Sequence, residues 1–116
     1  MQIRSKKYAE TAYPMVNEIK GQDIEAKYRT LALTFPTMIM QSGLAQAIGF
    51  LMAKGEKEHK ALLNHLTNLL GFATANALHS AVLSSNIVKY QLLTRDAIEA
   101  SSWLKRYTQA LLKKQQ

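Results

Sequence analysis

Apolar side chains recur every three or four positions near the N-terminus, which is the spacing of residues that share one face of an α-helix. Between about residues 2 and 20, the residues on this face are Tyr8, Ala12, Val16 and Ile19. Pro14 lies within the segment and should kink or split the helix, because proline lacks the N–H that a helix interior requires. Gly21 suits the end of this helix, where glycine is common.

The same spacing predicts further helices in the first half of the chain. Asp23 is a candidate N-cap for a second helix. Its apolar stripe consists of Ile24, Tyr28, Leu31 and Phe35. Pro36 is tolerated best in the first turn of a new helix, so the second helix should stop or bend near Thr34. After Gly43, the run from Leu44 to Ala53 is apolar on nearly every face, which predicts a central helix surrounded by others.

The second half of the chain continues in the same way. Leucines at helical spacing predict a helix from about residue 57 to residue 70, and a shorter helix is predicted from 73 to 83. No segment alternates with the period of a strand, and no repeat or long linker divides the chain. We therefore predict an all-α fold: a compact single-domain helical bundle of about five to seven helices over residues 1–116.

The last helix combines an apolar face with a basic one. Thr94 is its candidate N-cap, Asp96 suits the positive end of its dipole, and Lys113 and Lys114 suit the negative end. The inward face should hold Ala100, Trp103, Leu104, Tyr107 and Leu111. The opposite face should hold Arg95, Ser102, Arg106 and Lys113. This spacing predicts a basic ridge that faces solvent.

Positive charge dominates the polar positions, with 15 Lys and Arg against 8 Asp and Glu, a formal net charge of +7. Such an excess attracts phosphate or anionic lipid. The basic candidates are Arg4, Lys6 and Lys7; Lys54, Lys57 and Lys60; and Arg95, Lys105, Arg106, Lys113 and Lys114. For each one the alternative is a solvated helix face. Most aromatic residues lie on apolar faces, which favours contact with a nucleic-acid backbone over base stacking.

The sequence lacks the usual marks of catalysis and metal binding. It has no cysteine, and therefore no disulfide, thiolate metal site or thiol nucleophile. The histidines at positions 59, 65 and 79 do not show the spacing of a helical zinc hydrolase. The glycines are scattered singly, without a phosphate-binding loop. We expect no catalytic residue, no metal, no cofactor and no small-molecule substrate.

Two long stretches without charged residues, 30–53 and 61–88, raise the question of a membrane span. Each contains amide side chains, and the second also contains histidines, which are costly in lipid. The N-terminus lacks the apolar segment of a secretory signal. We expect a soluble, cytoplasmic protein with no membrane partner.

Residues alone leave three kinds of function open. The first is a structural subunit that contacts nucleic acid, and the second is a free-standing basic helical nucleic-acid-binding protein. The second would need Asn or Gln side chains to read bases from an exposed helix face, and the last helix offers Gln109 but mainly Lys and Arg. The third is an enzyme, which would need converging histidines and carboxylates.

Several segments together carry a family resemblance. They are Arg4 with Ala9 and Ala12; KYRTLALTFPTMIMQSGLAQAIGFLMAK from Lys27 to Lys54; Tyr90, Thr94 and Ala97; and WLKR from Trp103 to Arg106. In this order they resemble the small all-helical subunit family of the Cmr-type, type III-B CRISPR effector. The similarity runs in order over most of the chain.

The resemblance implies a non-catalytic structural subunit of an RNA-guided antiviral complex. Its partners would be the large subunit, the backbone subunits and further copies of itself, together with guide RNA and target RNA. In such a complex the small subunits stack along the guide–target duplex and brace it. The residues implied to contact RNA are Arg4, Arg29, Lys54, Lys105 and Arg106. Lys7 and Lys57 join them on charge and position.

Overall fold

The computed structural model describes residues 3–113, and over this range the chain forms six α-helices and no β-strand. In chain order they are α1 (Ile3–Ile19), α2 (Glu25–Ser42), α3 (Leu44–Lys54), α4 (Lys57–Leu69), α5 (Ala75–Ser84) and α6 (Ile87–Leu111). The predicted all-α bundle is confirmed. Lys114, assigned above to the end of the last helix, lies outside the described residues. Each helix described is too short or too polar to span a membrane.

The two longest helices, α2 and α6, run antiparallel and form the most extensive helix pair. At one end the Glu25 carboxylate accepts a 3.0 Å hydrogen bond from the backbone N–H of Lys113. At the other end, just past α2, the Tyr90 hydroxyl accepts a 3.1 Å hydrogen bond from the N–H of Ala45. α1 also packs on α6, and α4 packs on α2 and α3. All six helices contribute side chains to one core.

The face predicted for the first helix is confirmed. All four of its apolar residues are buried: Tyr8, Ala12, Val16 and Ile19. Gly21 lies just past the helix with a φ of 85°, which a residue with a side chain rarely adopts. The predicted cap Asp23 is wrong, because α2 begins at Glu25 without a side-chain cap. The Glu25 carboxylate instead accepts a 3.0 Å hydrogen bond from the N–H of Gly21.

Both prolines lie inside continuous helices. α1 continues through Pro14 to Ile19, so the predicted split is wrong. α2 continues through Pro36 to Ser42, so the predicted stop near Thr34 is also wrong. Pro36 leaves one carbonyl without its helical N–H partner, but it is buried along with neighbouring apolar residues of α2. This burial offsets the lost hydrogen bond and allows the helix to continue.

α3 is amphipathic and is not surrounded by other helices, contrary to the prediction. Its buried residues are Leu44, Ala47, Ile48 and Leu51. Gln46, Met52 and Ala53 are exposed. The composition of α3 concealed this outer face, because alanine and methionine are apolar residues that also occur at surfaces.

α6 begins two turns earlier than the sequence predicts. Asn86 is its N-cap, and the Asn86 side chain accepts a 2.9 Å hydrogen bond from the N–H three residues later. Thr94 lies inside the helix, so its predicted capping role is wrong. Asp96 lies in the third turn, beyond the reach of the helix dipole. Its carboxylate instead lies 3.6 Å from the guanidinium of Arg4.

Candidate nucleic-acid interface

The residues predicted to contact RNA do not converge on one surface. The structure distributes them over three regions: Arg4, Lys7 and Arg106 on α1 and α6; Arg29 and Lys105 on α2 and α6; and Lys54 and Lys57 at the turn between α3 and α4.

Arg4 is an ion-pairing residue within the fold. Its guanidinium lies 2.8 Å from the Glu99 carboxylate through one nitrogen and donates a 2.9 Å hydrogen bond through another. The hydrogen bond to Glu99 raises the pKa of the Arg4 guanidinium above its usual range. Much of its charge is thus compensated within the chain. Lys7, one turn further along α1, is exposed.

Lys54 and Lys57 form what we call the cationic corner. Lys54 is the last residue of α3 and Lys57 is the first of α4, so a short turn holds both. Both side chains are exposed, and neither ammonium lies within 4.0 Å of a carboxylate in residues 3–113. The Lys54 ammonium lies 6.0 Å from the centroid of the Phe50 ring. The corner presents two ammonium groups that form no ion pair, with Glu56 between them in sequence.

A groove of about 340 Å³ lies between α2 and the start of α4. Lys27 of α2 lines this groove together with Phe50 and His59, whose rings meet edge to face at 5.5 Å. Phe50 therefore connects the groove to the cationic corner. Sequence reasoning did not select Lys27 as a site residue, although it begins the motif that carries the resemblance.

Arg29 lies on α2 and Lys105 on α6, the two helices that form the most extensive pair. The hydrogen bond from Lys113 to Glu25 sets the register of this antiparallel pair, so the two residues lie within about one helical turn of each other along the helix axes. The Nε of Arg29 is buried without a hydrogen-bond partner in the described residues. Lys105 is half-buried, which corrects the expectation that it faces solvent with Arg106.

Arg106 is exposed, and its guanidinium lies 5.7 Å from the centroid of the Trp103 ring. The Trp103 ring lies 5.6 Å from that of Tyr107, and Tyr107 meets Tyr13 edge to face at 5.3 Å. We call these four residues the aromatic–arginine strip. The sequence places Trp103 and Tyr107 on the inward face of the last helix, but both are only half-buried. The i, i+3 and i+4 spacing of Trp103, Arg106 and Tyr107 is the signal that could have indicated the strip.

An apolar patch occupies the end of α5 and the start of α6. It consists of Leu83, Ile87, Val88 and Leu92, which are 66%, 74%, 61% and 46% exposed. Large exposed apolar patches mark sites of protein interaction. The sequence did not reveal this patch, because the last helix was predicted to begin at Thr94 and residues 87–93 were assigned to no helix.

The histidines do not form a metal centre: no group of three or more metal-ligating side chains occurs in residues 3–113. His65 is instead part of a buried pair, with its Nδ1 2.8 Å from the Tyr28 hydroxyl. Burial lowers the pKa of His65 to about 4 and raises the pKa of Tyr28. Both groups are thus neutral at physiological pH.

Comparison with known proteins gives a consistent result. Residues 4–111 match the family described as "CRISPR-associated protein (Cas_Cmr5)". The chain is 37% identical to the "CRISPR system Cmr subunit Cmr5" of Thermus thermophilus over 112 residues, which cover 97% of this chain and 98% of that protein. It also resembles the crystal structure of a CRISPR-associated Cmr5 family protein from Thermus thermophilus. The TM-score is 0.92 at 36% identity, covering 97% of this chain and all of that one.

Proposed function

The chain belongs to the Cmr5 family of CRISPR-associated proteins, and from this premise we propose that it is the small, non-catalytic subunit of a type III-B Cmr effector complex. In this role it stacks along the guide RNA–target RNA duplex and braces it through basic residues. Its protein partners are the large subunit, the backbone subunits and further copies of itself. The proposal includes a cytoplasmic location.

The cationic corner is the observation that carries this proposal. A phosphate contact that ignores base sequence needs positive charge on a rigid support. Neither Lys54 nor Lys57 forms an ion pair in residues 3–113, although Glu56 and Glu58 adjoin them in sequence, whereas Arg4 is ion-paired. We therefore assign the main phosphate contact to the cationic corner, with Lys27 beside it.

The apolar patch supports the assembly part of the proposal. Leu83, Ile87 and Val88 expose more than half of their surfaces to solvent, which is unfavourable for an isolated chain. A neighbouring Cmr subunit that covers the patch would remove this cost. The patch is on different helices from the cationic corner, so a single subunit could contact protein and RNA together.

The test is the retention of target RNA by the assembled Cmr complex that contains the Lys54→Gln/Lys57→Gln variant. Removing two phosphate contacts should weaken retention. Log affinity falls with log salt, and the magnitude of this negative slope should decrease by about 1.5 for each copy that contacts RNA. Electrophoretic shifts over a salt series measure both quantities.

The matched control is Lys20→Gln/Lys89→Gln, which removes the same charge from two exposed lysines elsewhere. It should leave the salt slope close to that of the wild type. Equal slopes in all three complexes would contradict the phosphate contact. Tight binding of the isolated chain to one DNA sequence would instead favour a free-standing DNA-binding protein.

A further inference from the structure

We propose that the aromatic–arginine strip of Tyr13, Trp103, Arg106 and Tyr107 stacks an unpaired nucleobase of bound RNA. This inference rests on the proposed function, because it requires that RNA reaches the protein. It adds a contact of a different kind from the phosphate contact of the cationic corner. It also revises the expectation, drawn from the sequence, that contact with a nucleic-acid backbone is favoured over base stacking.

A hydrogen bond and a ring contact between α1 and α6 hold the strip in place. The Trp103 Nε1–H donates a 3.0 Å hydrogen bond to the Ser5 hydroxyl of α1, which fixes the indole edge. Tyr107 lies one turn further along α6 with its ring tilted by 31° to that of Trp103. Tyr13 packs edge-on against Tyr107 and remains 47% exposed. The rings therefore form an ordered surface that spans α1 and α6.

The strip borders a surface hollow that is lined by Glu99, Ser102, Trp103 and Arg106 and measures about 240 Å³. A planar group that enters this hollow would contact the Trp103 ring and the Arg106 guanidinium. Bases stack on tryptophan rings and on arginine guanidinium planes, and both line this hollow.

The charges around the hollow favour an anionic polymer. Arg106 is exposed, and a guanidinium next to an aromatic ring can contact base and phosphate together. Lys6 is exposed and lies two turns before Tyr13 on the same side of α1. Glu99 is the one carboxylate in the lining, and Arg4 compensates its charge. The Glu99 oxygens can still accept a hydrogen bond from a base amino group.

Trp103 is the only tryptophan of the chain, so the intrinsic fluorescence of the full-length protein reports on the strip directly. The protein is titrated with a single-stranded RNA and with an abasic ribose-phosphate chain of equal length. Stacking predicts that the RNA quenches the fluorescence and that the abasic chain does not. The RNA should also bind roughly 5-fold to 150-fold more tightly than the abasic chain.

Two variants separate the contribution of the aromatic ring of Trp103 to RNA binding from that of its packing. Trp103→Phe and Trp103→Leu both lose the hydrogen bond to Ser5, but only Phe keeps a ring. Measured by anisotropy of labelled RNA, the preference for RNA over the abasic chain should persist in Trp103→Phe and disappear in Trp103→Leu. Equal preference in the two variants would overturn the stacking contact even if either variant is less stable.

Three further outcomes would each contradict the stacking contact. If RNA and the abasic chain bind equally and the fluorescence is unchanged, base stacking is refuted while the phosphate contact stands. If neither polymer binds, the stacking contact is overturned, and the phosphate contact is then decided separately by the retention assay on the assembled complex. If the fluorescence responds to other Cmr subunits and not to RNA, the strip is a protein interface and the inference is wrong.

Discussion

His65 should make the stability of this protein depend on pH in the acid range. Its ring is mostly buried, meets the Tyr28 ring edge to face at 5.4 Å, and has Nδ1 2.8 Å from the Tyr28 hydroxyl. Burial raises the pKa of Tyr28, so the phenol stays protonated, and its O–H donates to Nδ1 in the tautomer of His65 that carries its proton on Nε2. Protonation places a positive charge on a buried ring, which is the cause of the lowered pKa of His65.

The sign and size follow from the two pKa values of His65, about 4 in the fold and 6.5 ordinarily. The unfolded chain binds the proton more readily, so stability is complete above the unfolded pKa and falls as the pH drops from 6.5 toward 4. Between pH 7.5 and pH 5, His65 should lower the free energy of unfolding by about 2 kcal/mol. This corresponds to a decrease of roughly 1 M in the urea midpoint.

Urea denaturation followed by circular dichroism at both pH values measures this change. The control is His65→Gln, whose amide oxygen can accept the hydrogen bond from Tyr28 but does not titrate. Subtracting the variant's pH dependence removes the contribution of carboxylates and of the other histidines. The wild type should lose about 2 kcal/mol more than the variant between the two pH values. The same loss in both proteins would refute the role of His65.

Two further predictions concern helix ends. Asn86→Ala removes the N-cap of α6 and should lower the free energy of unfolding by about 1 kcal/mol. Asn86→Asp keeps a capping oxygen and should retain the wild-type urea midpoint. An equal loss of stability in both variants would show that the cap contributes nothing. The Glu25 carboxylate accepts hydrogen bonds from the backbone N–H groups of Lys113 and Gly21, and these bonds lower the pKa of Glu25. Glu25→Ala removes this acceptor. Hydrogen exchange at Gly21 and Lys113 should therefore accelerate, while exchange at Leu104 is unchanged. Unaltered exchange at Gly21 and Lys113 would contradict this second prediction.

Helix faces were predictable from the sequence, but helix ends were less so. The spacing of apolar residues located the buried face of α1 because that face depends only on the helical period. The start of α6 was misplaced because Ile87 and Val88, although apolar, lie outside the core and extend the helix toward solvent. The effect of Pro36 was also misjudged, because its cost is local while the burial that offsets it comes from packing against other helices.

The candidate site was less predictable than the fold. The sequence identified Arg4 as a free cation, but its partner Glu99 lies 95 positions away along the chain. Similarly, Trp103 is only half-buried because its indole edge bonds Ser5 of α1 while the ring also borders a surface hollow beside Arg106. The helical period gives the direction in which a side chain points from the axis of its own helix. Which helix lies opposite is decided only by tertiary packing.

α3 separates the two surfaces that the proposed function assigns to RNA and to protein. α3 begins next to Tyr90 in the first turn of α6, where the apolar patch lies, and it ends at Lys54 of the cationic corner. Eleven residues of helix separate these two ends by about 15 Å. Sites this far apart without shared partners act independently in most proteins. Under the proposed function, substitutions at the corner should change RNA contact and leave the patch intact, so that the two proposed roles can be measured separately.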